Sequence, residues 1–151
     1  MSQRKKRLAK LIEHRQHALD AKLGALAVLR VAEQTAITRA DDEREVRDRA
    51  ARERNDAVSR PVAVGHFVDA SVFLQSCAKR SELAELELAR ARRAVQKAQV
   101  EVVLAKNDLK KIQLLTERLD KEEQIQAARV EQRLSDEFSA RKSADAHKGR
   151  S

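Results

Sequence analysis

The chain has 151 residues and a formal net charge of +8, and 37% of its residues are charged. More than half of the residues are Ala, Glu, Lys, Leu or Arg, a composition typical of long helices and coiled coils. Only three Gly, one Pro and three Phe are present, with no Trp or Tyr, so residues for turns and for a large aromatic core are scarce. The composition argues against a multi-strand sheet and against an ordinary globular domain.

The N-terminal segment is basic, with Arg4, Lys5 and Arg7 ahead of Leu8. Charged residues interrupt the chain again before any apolar run of signal-peptide length, and no stretch reaches the roughly 18 apolar residues of a membrane span. The single cysteine rules out an internal disulfide and suits a reducing compartment. We therefore expect a cytoplasmic protein that does not insert into a membrane.

Helix-breaking residues concentrate at one place, where Pro61 lacks a backbone donor and Gly65 permits a positive φ. This predicts a single coiled-coil domain over 1–151, with a helix over 4–58, a hinge over 59–68, a helix over 69–141 and a flexible tail over 142–151. Asp69 or Ser71 is the expected cap of the second helix. The predicted fold class is all-α, with two long helices folded back as an antiparallel coiled-coil hairpin and the second helix longer.

The second helix carries the clearest period, an alternating 3,4 spacing of apolar residues that is typical of a coiled-coil seam. Small and large residues alternate along it, which allows two backbones to approach closely. The predicted seam consists of Leu88, Ala91, Val95, Ala98, Val102, Ala105, Leu109 and Ile112.

The first helix has a weaker stripe, and near the hinge its sequence is dominated by charge. The apolar positions taken for this stripe are Leu11, Ile12, Ala18, Leu19, Ala25, Leu26, Leu29, Ala32, Ala36, Ala40, Val46, Ala50 and Ala57. Apolar segments of the two helices match if residue i lies near residue 125 − i. Residues 122–141 then have no partner in the first helix, although Ile125, Val130, Leu134 and Phe138 make them amphipathic. Binding of a partner helix and simple fraying both fit this segment.

Catalytic chemistry finds no support in the sequence. The glycines are isolated, so no phosphate-binding loop is present, and Cys77 falls on a seam position where a small core residue is the simpler interpretation. His14 and His17 could share a helix face but lack a third ligand at a suitable spacing. We predict no catalytic residues, no metal site and no cofactor.

A cluster of basic residues raises the alternative of nucleic-acid binding through phosphate contacts. The cluster contains Arg90, Arg92, Arg93, Lys97, Lys106, Lys110 and Lys111. Without Trp or Tyr to stack on bases, and without a recognised reading motif, no nucleic acid is expected as a partner. A basic nucleic-acid-associated rod and a generic coiled-coil scaffold or chaperone remain the alternative functions.

Two short segments resemble a known family. After the hinge, Phe73-Leu74-Gln75-Ser76-Cys77 resembles an aromatic-aliphatic-x-x-aliphatic element, with Cys77 where Leu is common; near the end, Asp136-Glu137-Phe138 with Arg141 resembles an acidic element on a tail helix. With its length, basic charge and central hinge, the chain resembles the type III secretion stalk family, which comprises FliJ of flagella and YscO of injectisomes.

The resemblance implies a non-catalytic stalk or adaptor of a type III protein secretion system, at the cytoplasmic face of the apparatus. Such a protein inserts into and stimulates the hexameric export ATPase, contacts the export gate protein and is linked to secretion chaperones. We expect a monomer. On this basis the ATPase contacts are Arg4, Lys5, Arg7, Leu8, Asp136, Glu137, Phe138 and Arg141, and the gate contacts are Phe67, Phe73, Leu74 and Cys77.

Overall fold

A computed structural model of the chain describes residues 2–61 and 63–149. Within these residues the chain forms two helices and no strand: α1 spans Gln3–Ser59 and α2 spans Val64–Lys148. The helices pack closely against each other with the second longer, which confirms the predicted all-α hairpin. Met1, Val62 and 150–151, which fall in the predicted domain, hinge and tail, lie outside the described residues.

The start of α1 is capped by Ser2. Its Oγ accepts a hydrogen bond from the Lys5 amide at 3.2 Å, and its carbonyl accepts one from the Lys6 amide at 3.2 Å. Serine is a favoured residue at this position because its side chain satisfies an amide that has no partner inside the helix.

The connection between the helices is shorter than the predicted hinge over 59–68. The second helix begins at Val64, not at 69, because the Ala63 carbonyl accepts hydrogen bonds from the amides of His66 at 3.0 Å and Phe67 at 3.4 Å. Gly65 lies inside this first turn, and no glycine among the described residues has a positive φ. The expected cap residues Asp69 and Ser71 are therefore inside α2.

The end of α2 also differs from the prediction, since the helix continues through most of the tail expected to be flexible over 142–151. It ends at Lys148, and the Gly149 amide donates to the Asp145 carbonyl at 3.1 Å. Ala, Arg and Lys are strong helix formers, and the basic residues His147 and Lys148 in the last turn interact favourably with the helix dipole.

The chain divides into two compact units, His17–Lys106 and Met1–Gln16 with Asn107–Ser151. In the first, Ala40 and Ala84 are buried against Leu88, with Ala36 and Ile37 packed on them. Two alanines facing each other leave no side-chain bulk between the backbones, so the helices approach closely there.

The seam of α2 follows the 3,4 spacing in both units. In unit His17–Lys106, Leu88, Val95, Ala98 and Val102 are buried, and Ala91 and Ala105 are half-buried. In the other unit, Leu109 is buried and Ile112 is half-buried. These residues therefore form the side of α2 that packs on α1.

The stripe of α1 needs a correction. Leu11, Ala18, Ala25 and Ala32 are exposed, because the helix contacts α2 along the neighbouring predicted positions that begin with Ile12, Leu19 and Leu26. That line has seven-residue steps from Ile12 to Leu26 and a 3,4 spacing after Leu26, and it includes charged residues that a count of apolar positions does not find. Its buried and half-buried members are Lys5, Leu8, Ile12, Leu19, Leu26, Leu29, Glu33, Ala36, Ala40, Glu43, Arg47, Ala50, Arg54 and Ala57.

Contacts between the helices follow the expected antiparallel register. Within unit His17–Lys106, Lys22 pairs with Glu101, Arg39 with Glu87 and Arg44 with Glu85. Each partner lies within about four residues of position 125 − i, so apolar segments match apolar segments.

Ala40 tests the close packing, because its side chain is 0% exposed at the point where the backbones approach. Ala40→Leu should overpack this layer and lower the free energy of unfolding by about 1 to 3 kcal/mol, measured by urea denaturation with circular dichroism. The exposed Ala27→Leu is the control and should change stability by less than about 0.5 kcal/mol. Equal stability of the two variants would contradict close packing at Ala40.

Candidate functional site

The last part of α2 is an exposed helix, which Lys5 contacts only near its start, at Glu123. Every residue from 121 to 149 is exposed, although the segment is helical to Lys148. Among these residues, Phe138 is 69% exposed and Leu134 is 62% exposed. Large apolar side chains with this exposure present apolar surface to water. A partner that binds here would bury that surface.

The apolar residues of this segment form a stripe, which we call the tail surface: Ala127, Val130, Leu134 and Phe138. Their spacing of three or four residues places them on one side of a helix with 3.6 residues per turn. A shallow depression lies along this stripe, with Glu123 and Glu131 beside it. Ile125, which the sequence grouped with these residues, is five positions from Val130 and lies about 140° around the helix.

The acidic element lies on the flanks of the tail surface. Asp136 accepts a hydrogen bond from Gln132 Nε2 at 3.1 Å, one helical turn away. Glu137 and Arg141 are exposed next to Phe138. The segment therefore presents an apolar line bordered by both signs of charge, as expected of a helix that binds a groove.

Two predicted ATPase contacts are engaged within the hairpin. Lys5 Nζ lies 2.8 Å from an Asp120 carboxylate oxygen and 2.5 Å from one of Glu123, and Leu8 is buried against α2. Arg4 and Arg7 are exposed. Lys5 and Leu8 therefore hold α1 on α2, which leaves Arg4 and Arg7 as the accessible members of the N-terminal group.

Hydrogen bonds to Asp120 and Glu123 raise the pKa of Lys5 above its usual 10.5. A raised pKa means that the charged lysine stabilises the folded state. This stabilisation is present below pH 10.5 and is lost as the pH rises through the pKa of the folded state.

The predicted gate contacts lie near the turn and differ in exposure. Phe73 is 48% exposed, Phe67 and Leu74 are half-buried, and Cys77 is 0% exposed. The burial of Cys77 corrects its assignment as a contact residue, because it occupies a seam position inside the helix pair. The guanidinium of Arg54 lies 5.7 Å from the centre of the Phe67 ring, a cation–π contact that covers one face of the ring.

Charged residues also lie inside the seam near the turn, which the sequence did not reveal. Arg47 Nη1 donates to the Oγ of buried Ser81 at 3.4 Å. Among the described residues, two buried side-chain polar atoms have no hydrogen-bond partner, Arg54 Nε and Ser71 Oγ. Seven-residue spacing from Ala40 through Arg47 to Arg54 is the signal that could have placed these arginines in the seam.

Within residues 2–61 and 63–149 there is no group of three or more His, Cys, Asp or Glu side chains arranged to hold a metal ion. No helix of this part of the chain is both long enough and apolar enough to cross a membrane. His14 and His17 lie on exposed helix surface.

A close pair of long helices with one exposed amphipathic segment defines a coiled-coil protein. The chain belongs to the FliJ family: the family model described as "Flagellar FliJ protein" matches residues 4–148. This confirms the resemblance seen in the sequence. Members of this family are non-catalytic components of the cytoplasmic part of the flagellar or type III export apparatus. No curated protein and no solved structure matches the chain at a significant level.

Replacing Lys5 tests the paired lysine at the N-terminus. Lys5→Met should lower the melting temperature at pH 8, and the difference from the unmodified chain should shrink as the pH rises above 10.5, because the unmodified lysine then loses its charge. Thermal unfolding followed by circular dichroism across this pH range measures the effect.

Lys6→Met is the matched control, since Lys6 is the exposed neighbour of Lys5 in the same helical turn. It removes the same charge and should change the melting temperature little at any pH. A Lys5→Met difference that stays constant above pH 10.5 would show that packing of the lysine stem, and not its charge, stabilises the pair.

Proposed function

We propose that this protein is a non-catalytic stalk or adaptor of a type III protein secretion system, which inserts into and stimulates the hexameric export ATPase and links it to the export gate. Family membership supports a place in the export apparatus. The single observation that carries the finer proposal is the tail surface, an apolar stripe whose members are all exposed.

The physical argument begins with the cost of exposing that stripe. A helix of this length with no packed partner is stabilised only by its own propensity and local side-chain pairs. Insertion into the axial opening of a ring would bury Val130, Leu134 and Phe138. Complete burial of a fully exposed side chain of this size is worth about 1.5 to 3 kcal/mol, so these partly exposed side chains would each contribute a part of that. The charges of Glu137 and Arg141 would then contact polar groups of the ring lining.

The exposed arginines at the start of α1 extend the same binding surface. Arg4 and Arg7 belong to the same compact unit as the tail surface, and Lys5 holds α1 on α2 between them through Asp120 and Glu123. We therefore assign the ATPase contact to the tail surface with Asp136, Glu137 and Arg141, supported by Arg4 and Arg7.

The gate contact is assigned to Phe73, with Leu74 and Phe67 as its half-buried support. An aromatic side chain that is half exposed on a long helix is a typical anchor for a protein partner. On this proposal the protein works at the cytoplasmic face of the secretion apparatus, with secretion chaperones as further partners.

The tail surface is tested with the variant Val130→Ser/Leu134→Ser/Phe138→Ser. Because all three side chains are exposed, helicity should be retained, while affinity for the cognate export ATPase should fall about tenfold or more and stimulation of ATP hydrolysis should be lost. Steady-state hydrolysis and binding by light scattering measure the two effects.

Ile125→Ser is the control on the opposite side of the same helix, since Ile125 is also about half exposed. It should leave binding and stimulation unchanged. An equal loss in the control, or full stimulation by the triple variant, would contradict insertion through the tail surface.

The gate contact is tested with Phe73→Ala. Binding to the cytoplasmic domain of the export gate protein should weaken about tenfold or more, with an unchanged melting temperature, because the ring is half exposed. Val68→Ala, at an equally exposed apolar residue of the same helix, is the control. Loss of helicity in Phe73→Ala would show that the ring supports the turn instead of a partner.

A further inference from the structure

A second line of residues follows α2 on the side that faces away from α1. We call it the outer stripe: Leu83, Leu86, Arg90, Arg93, Lys97, Val100 and Leu104. The spacing alternates between three and four residues, as in the seam, but every member is exposed. The four apolar members are 51% to 60% exposed, so they take no part in the core of unit His17–Lys106.

The outer stripe carries positive charge without a carboxylate. The acidic residues of α2 between 83 and 104 are Glu85, Glu87 and Glu101, and each is ion-paired with α1, through Arg44, Arg39 and Lys22. In the part of the chain that the structure describes, the three basic members of the stripe have no ion pair; Arg93 Nε donates only to the Ala89 carbonyl at 3.3 Å.

The charge pattern selects the kind of partner. A second copy packed symmetrically on the stripe would place Arg93 near its own counterpart, where like charges repel. A membrane surface fits poorly, because helices that lie in the interface keep Lys and Arg on the side opposite to the inserted apolar residues, whereas here Arg90 and Lys97 lie in the same line as the leucines.

We propose that the outer stripe is the docking site for an acidic amphipathic helix of another protein, which packs as a third strand on α2. The partner helix carries carboxylates opposite Arg90, Arg93 and Lys97 and apolar residues opposite the two apolar ends. A stripe with heptad spacing stays aligned along a supercoiled helix, so both ends can engage one partner helix at once. The proposal is independent of the ATPase and gate contacts, which use other residues.

The test uses a synthetic helix as the probe. The peptide has 22 residues, most of them Ala or Gln. Seven positions, spaced alternately three and four residues apart, carry in order two Leu, three Glu and two Leu. A second peptide has Lys in place of the three Glu. The outer stripe has two apolar residues at each end and three basic residues between them, so the probe can bind in the parallel or the antiparallel orientation. Fluorescence anisotropy with the full chain should give an affinity about tenfold or more higher for the Glu peptide than for the Lys peptide.

Charge reversal identifies the residues that bind. Arg90→Glu/Arg93→Glu/Lys97→Glu should invert the preference between the two peptides, while helicity remains unchanged. Arg80→Glu/Arg92→Glu/Lys106→Glu changes the net charge equally at exposed residues outside the stripe and should keep the preference for Glu. Leu86→Ser/Val100→Ser should weaken both peptides about tenfold without changing the preference.

Three results would overturn the proposal. Equal affinity for the two peptides would show that the outer stripe does not select an acidic helix. An inverted preference in the control variant would show that net charge alone determines the binding. Binding of phosphatidylserine vesicles or of a DNA duplex through the same three basic residues, with no preference between the peptides, would assign the stripe to a lipid or nucleic-acid surface. Stimulation of the export ATPase by the stripe variant should be unchanged, which separates this proposal from the function proposed above.

Discussion

The close packing of small residues between the two helices is the constraint on which the other features depend. Where Ala40 meets Ala84 beside Leu88, the backbones approach without intervening bulk, and this layer fixes which residue of α1 faces which residue of α2. The register in turn decides which charges meet across the pair, such as Arg44 with Glu85. In the other compact unit, Lys5 in the first turn of α1 pairs with Asp120, and the residues of α2 from 124 to 149 are exposed.

The distribution of ion pairs divides α2 into surfaces with different roles. Its carboxylates between 83 and 104 are used by α1, so the basic residues of the same segment dominate what a partner encounters. Between residues 124 and 149 both signs of charge border an apolar stripe, and all of these residues are exposed. One long helix thereby combines a structural seam, a basic outer side and an uncovered end.

The predicted seam residues of α2 are all apolar, so their 3,4 spacing is visible without knowledge of a partner. The α1 line was only partly predicted, since Glu43, Arg47 and Arg54 occupy positions at which a long charged side chain extends past the contact while its stem packs. The start of α2 was missed because Gly65 adopts ordinary helical geometry, which residue type alone does not determine.

For the candidate surfaces, residue type identified the exposed Phe73 and Phe138, but burial depends on the register of a distant helix. The residue types around Lys5, Leu8 and Cys77 do not distinguish them from their exposed neighbours. They are paired or buried because residues of the other helix lie beside them. The outer stripe was hidden for a related reason. Its basic residues became a distinct surface only once the nearby carboxylates were seen to be occupied by α1.

The short connection after Ser59 also sets the order in which unit His17–Lys106 closes during folding. Near the turn, Arg54 contacts Phe67 and Arg47 donates to Ser81, and these contacts enclose short loops. Arg54 Nε is buried without a hydrogen-bond partner. Buried apolar residues near the turn include Ala50, Ala57 and Cys77. Farther from the turn, Arg44 and Glu85 are 41 residues apart in sequence, and Lys22 and Glu101 are 79 apart. Because shorter loops cost less entropy to close, the apolar contacts near the turn can form first and the Ala40 layer and the more distant ion pairs can then close in sequence, as a zipper does.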